Sequence, residues 1–103
     1  MKPVVPEFDP VIHAPARLQI ATLLTAVNEA EFSFLRDAVK VSDSVLSKHI
    51  SQMAEAGYVK VRKAALGGRQ RTWLSLTREG RRAFTAHVAA LEQLVASARA
   101  AAE

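Results

Sequence analysis

The segment VSDSVLSKHISQMAEAGYVKVRKAALGGRQRTWLSLT, residues 41–77, decides the fold. Its first half predicts a helix with one buried face, formed by apolar residues at helical spacing: Leu46, Ile50 and Met53. Ser42 is a good N-cap for this helix, because its hydroxyl can accept a hydrogen bond from a free N–H of the first turn. Gly57 stands where a left-handed residue commonly ends a helix. We therefore expect a helix that begins after Ser42 and ends before Gly57.

The second half of this segment predicts a β-hairpin. Residues 59–63 (VKVRK) and 72–76 (TWLSL) alternate as strands do. Residues 64–70 lie between them and contain Gly67-Gly68, which permits a flexible turn. The tip of the hairpin is basic, so the segment as a whole predicts a helix followed by a basic two-stranded hairpin.

The residues at the start of the chain predict an arm and a helix. Residues 1–14 contain three of the four prolines and are expected to form an extended N-terminal arm. Pro15 suits the first turn of a helix, where its missing N–H costs nothing. That helix is expected over residues 16–27, and its apolar stripe is Ile20, Leu23, Leu24 and Val27.

A short strand is expected at residues 30–32, and Ser33 can cap a second helix over residues 34–39. The inward side chains of this helix are predicted to be Phe34, Leu35 and Ala38. A short link then leads to the helix that follows Ser42. Two helices joined in this way are typical of a helix-turn-helix.

Thr77 is expected to cap a long final helix, so that residues 77–101 form the C-terminal element. Apolar residues recur along it in the alternating steps of a heptad seam. The helix would be about 35 Å long, more than a small domain needs to cover its core. Packing against the first helix uses part of this face, and we expect the rest to form a homodimer. The expected interface residues are Phe84, Val88, Leu91, Leu94, Val95 and Ala98.

Length and composition limit the class of protein. The chain has 103 residues, 50% of them hydrophobic and 23% charged, which predicts one folded domain over residues 1–103. It has no cysteine, so disulfides and thiolate metal sites are excluded, and this fits a reducing compartment. The first residues lack the apolar core of a signal peptide, and no apolar run is long enough to cross a membrane. We expect a cytoplasmic protein.

The predicted elements follow the order α-β-α-α-β-β-α, a mainly α fold with a small β-hairpin. This is the winged helix-turn-helix arrangement, with a long C-terminal dimerisation helix. Four stretches resemble MarR- and ArsR-like bacterial regulators: LSKHISQMAEAGYV at 46–59, LTREG at 76–80, IHAPARLQI at 12–20 and KAALGGRQRT at 63–72. The resemblance covers residues 9–95 and implies a compact winged-helix transcriptional regulator.

Basic residues are concentrated in one part of the chain. Between Lys60 and Arg82 there are eight bases and one acid, whereas the remainder has six bases and nine acids. A polarised charge of this kind is typical of a surface that faces phosphates. The simpler alternative is a solvated basic face.

Two elements carry the residues that we expect to contact DNA. The face of the third helix opposite Leu46 offers small donors and acceptors and one cation, which suit base edges or phosphates in a major groove. Gly67-Gly68 removes bulk from the hairpin tip, so that nearby bases can approach the backbone or a narrow minor groove. The predicted contacts are Ser42, Ser44, Ser47, Lys48, Ser51 and Gln52 on the helix and Arg62, Lys63, Arg69 and Arg71 on the hairpin. Asp43 serves the helix dipole or accepts from a cytosine amine.

The sequence therefore predicts a homodimeric, sequence-specific, double-stranded DNA-binding transcriptional regulator. Two-fold symmetry implies a palindromic operator with half-sites about one helical turn apart, or a multiple of it. The alternative is a winged-helix protein-interaction module without specific DNA binding, whose basic stripe meets an acidic partner. RNA binding is less favoured, because the aromatic motifs of the common RNA modules are absent. An effector, if there is one, would sit at the dimer interface.

Catalysis, cofactors and metals are not expected. The chain has no Gly-rich phosphate loop, no Gly-x-Ser-x-Gly and no paired carboxylates on one face. His13, His49 and His87 are not spaced as the ligands of one metal, although a histidine site shared across a dimer stays open. Trp73 is expected to cover part of the core or of a partner subunit.

Overall fold

Five helices and three strands alternate along residues 8–102, the part of the chain that the computed structural model describes. They are α1 (Pro10–His13), α2 (Pro15–Thr25), β1 (Ala30–Glu31), α3 (Phe32–Val39), α4 (Asp43–Glu55), β2 (Val59–Leu66), β3 (Arg69–Leu76) and α5 (Arg78–Ala102). The fold class predicted from the sequence is confirmed. Within this range no helix combines the length and the apolar character that crossing a membrane requires.

The three strands form one antiparallel sheet in the order β1-β3-β2. β1 contributes a ladder of only two residues, Ala30 opposite Leu74 and Glu31 opposite Trp73. The longer pairing of β2 with β3 runs from Val59 opposite Leu76 to the tip. Gly67 and Gly68 alone form the turn, with φ of 61° and 79°, which suits a two-residue hairpin turn. Residues 64–66 and 69–70, predicted as part of the turn, are therefore strand.

Both ends of α4 follow the sequence prediction. The Ser42 hydroxyl accepts a hydrogen bond from the Val45 N–H at 3.2 Å. At the other end, Gly57 has φ of 83° and donates to the Ala54 carbonyl, and Tyr58 donates to the Met53 carbonyl, both at 2.9 Å. This pair of bonds is the Schellman motif, which satisfies the last carbonyls of a helix.

One hydrophobic core joins the helices to the sheet. Its fully buried apolar side chains lie on α1, α2, α3, α4 and β3. They are Ile12, Ile20, Ala21, Leu24, Leu35, Leu46, Met53 and Leu74. Ala83 and Phe84 of α5 pack against this cluster. The predicted inward faces of α2 and α4 are confirmed, except that Val27 is 40% exposed. The reason is that α2 ends at Thr25, so Val27 lies beyond the helical stripe.

The extended arm predicted for residues 1–14 is wrong at its C-terminal end. Residues 10–13 form α1, with Pro10 at its first position. Asp9 caps this turn, because one of its carboxylate oxygens accepts from the Val11 N–H at 2.9 Å and the Ile12 N–H at 3.2 Å. Ile12 is then completely buried and holds the turn on the core. Residues 1–7 lie outside the described range.

The predicted start of α3 is wrong, and of its predicted inward residues only Leu35 is confirmed, since it is completely buried. The helix begins at Phe32 rather than Phe34, and Glu31 rather than Ser33 occupies the N-cap, without a side-chain hydrogen bond. The earlier start changes the phase, so that Phe32, Leu35 and Val39 turn towards the core. Phe34 is 57% exposed and Ala38 is exposed as well.

α5 begins at a close backbone contact with the end of α4. The Thr77 hydroxyl donates to the Gly57 carbonyl at 2.6 Å and accepts from the Gly80 N–H at 2.9 Å, which confirms the predicted cap. Thr77 N–H also donates to the Tyr58 carbonyl at 3.0 Å. A Cβ atom at position 80 would lie 2.1 Å from the Tyr58 carbonyl oxygen, so only glycine fits.

The domain is elongated because α5 extends beyond the core. The radius of gyration is 16.1 Å and the extents are 61 × 24 × 22 Å, whereas a globular domain of this length has a radius of gyration near about 13 Å. Every residue of α5 from Glu92 onwards is exposed within the described range. The C-terminal half of α5 therefore extends beyond the core.

We predict that Gly80→Ala lowers the free energy of unfolding by about 1–3 kcal/mol, since the new methyl group forces the backbones of α5 and Tyr58 apart. The loss should occur although alanine has the higher helix propensity. Urea unfolding followed by circular dichroism measures it. Thr85→Ala, at an exposed position of the same helix, is the control and should change stability by less than about 0.5 kcal/mol. A Gly80→Ala protein as stable as the wild type would contradict the proposed contact.

Candidate nucleic-acid interface

The polar face of α4 is open to solvent. Leu46, Ile50 and Met53 point into the core, so at 100° per residue, the angular step of about 3.6 residues per turn, the opposite side is centred on Ser44, Lys48 and Ser51. All the residues that the sequence assigns to DNA on this element are exposed: Ser42, Ser44, Ser47, Lys48, Ser51 and Gln52. They do not all share one side, however, and the two flanks of the helix differ in their neighbours.

One flank of α4 faces the hairpin across a cleft. Ser47 and Ser51 of α4 line it on one side, and Lys63 and Thr72 line it on the other. Its floor is apolar and includes Ile50 and Val61. Hydroxyl groups of α4, the ammonium group of Lys63 and the carboxylate of Asp43 therefore line the same cleft.

The other flank of α4 is tied to α1 and α2 by Arg17. Its guanidinium donates to the Gln52 side-chain oxygen and to the Val11 carbonyl, and lies 3.2 Å from Nδ1 of His49. Burial, helped by the positive charges of Arg17 and Lys48, lowers the pKa of His49. Gln52, predicted as a DNA contact, is thus engaged inside the chain. Arg17 is not among the site residues predicted from the sequence, because its partners on α4 lie 32 and 35 residues away.

Asp43 pairs with a cation of α3. Its carboxylate accepts from the Arg36 guanidinium at 2.9 Å, and Arg36 also donates to Asp37 at 3.0 Å. Asp43 lies in the first turn of α4, where a negative charge is favourable to the helix dipole. Because the Arg36 guanidinium partly neutralises the Asp43 carboxylate, Asp43 repels a phosphate at the start of α4 less strongly.

The hairpin presents two different sides. Because side chains alternate along strands, Lys63 and Thr72 face α4, whereas Arg62, Arg71 and Trp73 lie on the opposite side, which we call the outer face. The four bases predicted to contact DNA are therefore not equivalent. Arg69, the fourth, falls on the outer face by the same alternation, but it is exposed next to the turn, beyond Arg71.

Two arginines of the outer face are paired with acids. Arg62 makes a bidentate contact with Glu29, with both N–O distances at 2.8 Å, and its guanidinium lies 5.7 Å from the centre of the Trp73 ring. Arg71 contacts Glu31 at 3.4 Å. The hydrogen bonds from Arg62 lower the pKa of the Glu29 carboxyl. Lys63 and Arg69 have no ion pair within residues 8–102. Trp73, expected to cover part of the core or of a partner subunit, lies under the Arg62 guanidinium.

A pair of histidines joins α1 to α5. Nδ1 of His13 lies 3.2 Å from Nε2 of His87, and Phe8 stacks on His13 with 4.9 Å between ring centres. His87 is completely buried, and its Nδ1 accepts from the Asp9 N–H at 3.2 Å. The second oxygen of Asp9 accepts from the Tyr58 hydroxyl, which raises the pKa of Tyr58 to about 12. Nothing local in the sequence indicates this cluster, since His13 and His87 are 74 residues apart.

These contacts require a neutral His87. Its Nδ1 is occupied as an acceptor, so the proton belongs on Nε2, where it points to His13. Burial and the neighbouring His13 lower the pKa of His87 from its ordinary value of 6.5, against the opposite effect of Asp9. Within the described range, no three His, Cys, Asp or Glu side chains are grouped closely enough to hold a metal ion.

We predict that stability falls as the pH falls from 7.5 to 5.5. The unfolded chain binds protons at histidine near pH 6.5, but folded His87 and His49 have lowered pKa values. The two neutral histidines therefore contribute fully to the free energy of unfolding above pH 6.5. This contribution is lost as the pH falls towards their pKa values in the folded protein. Urea unfolding at several pH values measures the effect. The His49→Gln variant should keep the pH dependence of stability that comes from His87. If the stability of His49→Gln did not change between pH 7.5 and 5.5, the role of His87 would be contradicted.

The fold and this surface define a class of protein. A helix pair with an exposed polar second helix, a basic hairpin beside that helix and a closing helix together make a winged helix-turn-helix protein. A family model described as a winged helix DNA-binding domain matches residues 16–95, and the chain belongs to this family. The winged-helix domain that the sequence resemblance implied is confirmed.

The chain is similar to several known proteins. An uncharacterized protein of Methanocaldococcus jannaschii is 29% identical over 84 residues, which cover 82% of this chain and 91% of that protein. The structure of a transcriptional regulator homologue from Pyrococcus horikoshii matches with a TM-score of 0.78 at 24% identity, covering 84% of this chain and 86% of the other. A MarR-family regulator structure from Enterococcus faecalis matches with a TM-score of 0.76 at 20% identity, covering 89% and 83%. These two structures share the winged-helix fold of this chain.

Proposed function

We propose that this protein is a homodimeric, sequence-specific transcription regulator that binds double-stranded DNA at a palindromic operator. α4 enters the major groove, and the hairpin contacts the backbone or the minor groove. The observation that carries the proposal is the cleft in which exposed hydroxyl groups of α4 face Lys63 of the hairpin. The family match to a winged helix DNA-binding domain supports the same use of these two elements.

The composition of the α4 surface suits a major groove. Ser44, Ser47 and Ser51 are short, so the helix backbone can approach the base edges, and each hydroxyl can donate or accept. Lys48 supplies a cation at the centre of this face. Gln52 lies on the flank held by Arg17. We therefore assign base readout to the three serines and Lys48, and a supporting position to Gln52.

The hairpin supplies affinity rather than base discrimination. Lys63 faces the cleft and Arg69 stands at the tip, where Gly67 and Gly68 add no side chain. Contacts of lysine and arginine with phosphates position a protein on the duplex but carry no base code. Arg62 and Arg71 can reach DNA only by leaving Glu29 and Glu31.

The exposed half of α5 supports a homodimer. Val88, Leu91, Val95 and Ala96 line one shallow groove along this helix, together with Glu92 and Arg99. Leu94 and Val95 are 47% and 48% exposed. Phe84, the first residue of the predicted seam, packs on the core of its own chain instead. A second copy offers the same apolar face, so a two-fold pairing covers both at once. Linking two DNA-binding surfaces also raises affinity through effective concentration.

Selection of bound duplexes from a random pool tests the proposal. We expect an inverted repeat whose half-sites are separated by about one helical turn or a multiple of it. Sedimentation of the protein with one selected duplex should show two chains on each DNA. Enrichment of no sequence, together with binding that does not weaken with salt, would favour the protein-interaction module.

We predict that Ser47→Ala and Lys48→Ala each change the preferred bases of the selected site. A lost base contact should cost about 1–3 kcal/mol of binding free energy on the wild-type operator. Competition titrations with single-base operator variants locate the affected position. Ser97→Ala, the same change on an exposed position of α5, should leave both affinity and base preference unchanged. Unaltered preference in both α4 variants would remove this helix from base readout.

We predict that Leu91→Glu combined with Val95→Glu yields monomers. Each chain then brings two carboxylates into the apolar groove of α5, and two-fold pairing would bury four. Operator affinity should collapse although α4 and the hairpin are intact, because two weak half-site contacts are no longer linked. Sedimentation and operator titration on the same sample measure both effects.

Gln93→Glu combined with Ser97→Glu is the matched control for this prediction. It adds the same charge to exposed positions on the other side of α5 and should stay dimeric. A Leu91→Glu, Val95→Glu protein that remains dimeric would place the interface elsewhere. A monomer that keeps the wild-type operator affinity would contradict the palindromic operator.

A further inference from the structure

The outer face of the hairpin carries an ion-pair network that the DNA-binding proposal does not use. Arg62 is on β2, and its partner Glu29 precedes β1, at the other side of the three-stranded sheet. Its guanidinium lies over the Trp73 ring of the central strand and meets both oxygens of Glu29. Glu31 is opposite Trp73 in the ladder and contacts Arg71. The network therefore spans the sheet from β1 to β2.

This network reinforces a weak attachment. The hairpin joins β1 through a ladder of only two residues. Beyond it, β2 and β3 pair only with each other up to the tip. Glu29 and Glu31 stand on either side of Ala30, and each takes one arginine of the hairpin. A bidentate arginine–carboxylate pair has a defined geometry, unlike a single contact between flexible side chains.

The same network divides the hairpin bases into two groups. Arg62 and Arg71 face acids, while Lys63 faces the cleft beside α4 and Arg69 stands at the tip. A guanidinium that already pairs with a carboxylate adds no phosphate contact and releases no counterion from DNA unless that pair breaks. Arg69 shares the outer face with Arg71, so pairing with an acid, rather than residue type or sheet face alone, separates the two groups.

We propose that Glu29 and Glu31 are positioning residues of the DNA-binding surface: they hold Arg62 and Arg71 on the outer face, away from DNA, and leave contact with phosphates to Lys63 and Arg69. The inference rests on the proposed DNA binding and adds which hairpin bases take part. It also assigns β1 a role in limiting the non-specific affinity of the protein, because two of the strongest phosphate ligands in the hairpin are withheld.

Two charge-matched double variants of the hairpin test this division. Lys63→Ala with Arg69→Ala should make the salt dependence of duplex binding shallower by about two phosphate contacts. Arg62→Ala with Arg71→Ala removes the same charge from the same hairpin and should keep the wild-type salt slope. Titrations of random duplex DNA at several salt concentrations give the slopes, and circular dichroism confirms that each variant is folded. Equal loss of slope in the two variants would overturn the proposal.

Releasing the arginines tests the role of the two acids directly. In the Glu29→Gln, Glu31→Gln variant, Arg62 and Arg71 become free to reach phosphates. The salt dependence of duplex binding should therefore become steeper, by the amount that about two additional phosphate contacts produce. The ratio of random-duplex affinity at about 50 mM salt to that at about 200 mM salt should then grow about tenfold over wild type. Glu79→Gln with Glu92→Gln makes the same charge change on α5 and should increase this ratio less. Equal increases in the two variants would show a general charge effect and overturn the proposal.

The wild-type protein separates this inference from the function on which it rests. Absence of any salt-dependent duplex binding by the wild type would overturn both. Wild-type binding to duplex DNA with equal slopes for the two hairpin variants would overturn the role of Glu29 and Glu31 alone.

Discussion

The junction between the end of α4 and the start of α5 sets the geometry of the domain. The Tyr58 carbonyl accepts from the Thr77 N–H at 3.0 Å, and the Thr77 hydroxyl bridges the Gly57 carbonyl and the Gly80 N–H. These bonds bring two backbones so close that a Cβ at position 80 would meet three backbone atoms of Tyr58. Backbone hydrogen bonds of this kind permit little variation in distance or angle. The two helices are therefore held in one arrangement.

Every proposed functional surface starts from that junction. β2 begins at Val59, immediately after it, and β3 ends at Leu76, immediately before it, and these two residues pair with each other. Tyr58 also reaches Asp9, which caps α1 and contacts His87 of α5 through its N–H. α4, the hairpin and α5 thus all start or end at one rigid point. In a two-fold dimer, this junction would determine how far apart the two α4 helices lie, and so the spacing of the half-sites.

The elements that the sequence predicted well are those whose determinants are local. Ser42, Gly57 and Thr77 each make hydrogen bonds within a few residues, and a cap or a helix end can be read from such short patterns. The phase of α3 could not be predicted in this way, since Phe32 and Phe34 are both plausible inward residues. Only the pairing of β1 with β3 decides between them, because it fixes where the helix begins.

The same distinction between local and long-range determinants applies to the candidate site. Exposure of the polar face of α4 follows from the spacing of its apolar residues and was predictable. The partners of the site residues were not, because Arg62 and Glu29 are 33 residues apart and Arg71 and Glu31 are 40 apart. A count of bases along the chain treats Arg62 and Lys63 as equal neighbours. Strand alternation places them on opposite sides of the sheet, and the edge formed by Glu29 and β1 supplies an acid to the side of Arg62. Glu29 and Glu31 thereby pair with Arg62 and Arg71, whereas Lys63 and Arg69 have no ion pair within residues 8–102.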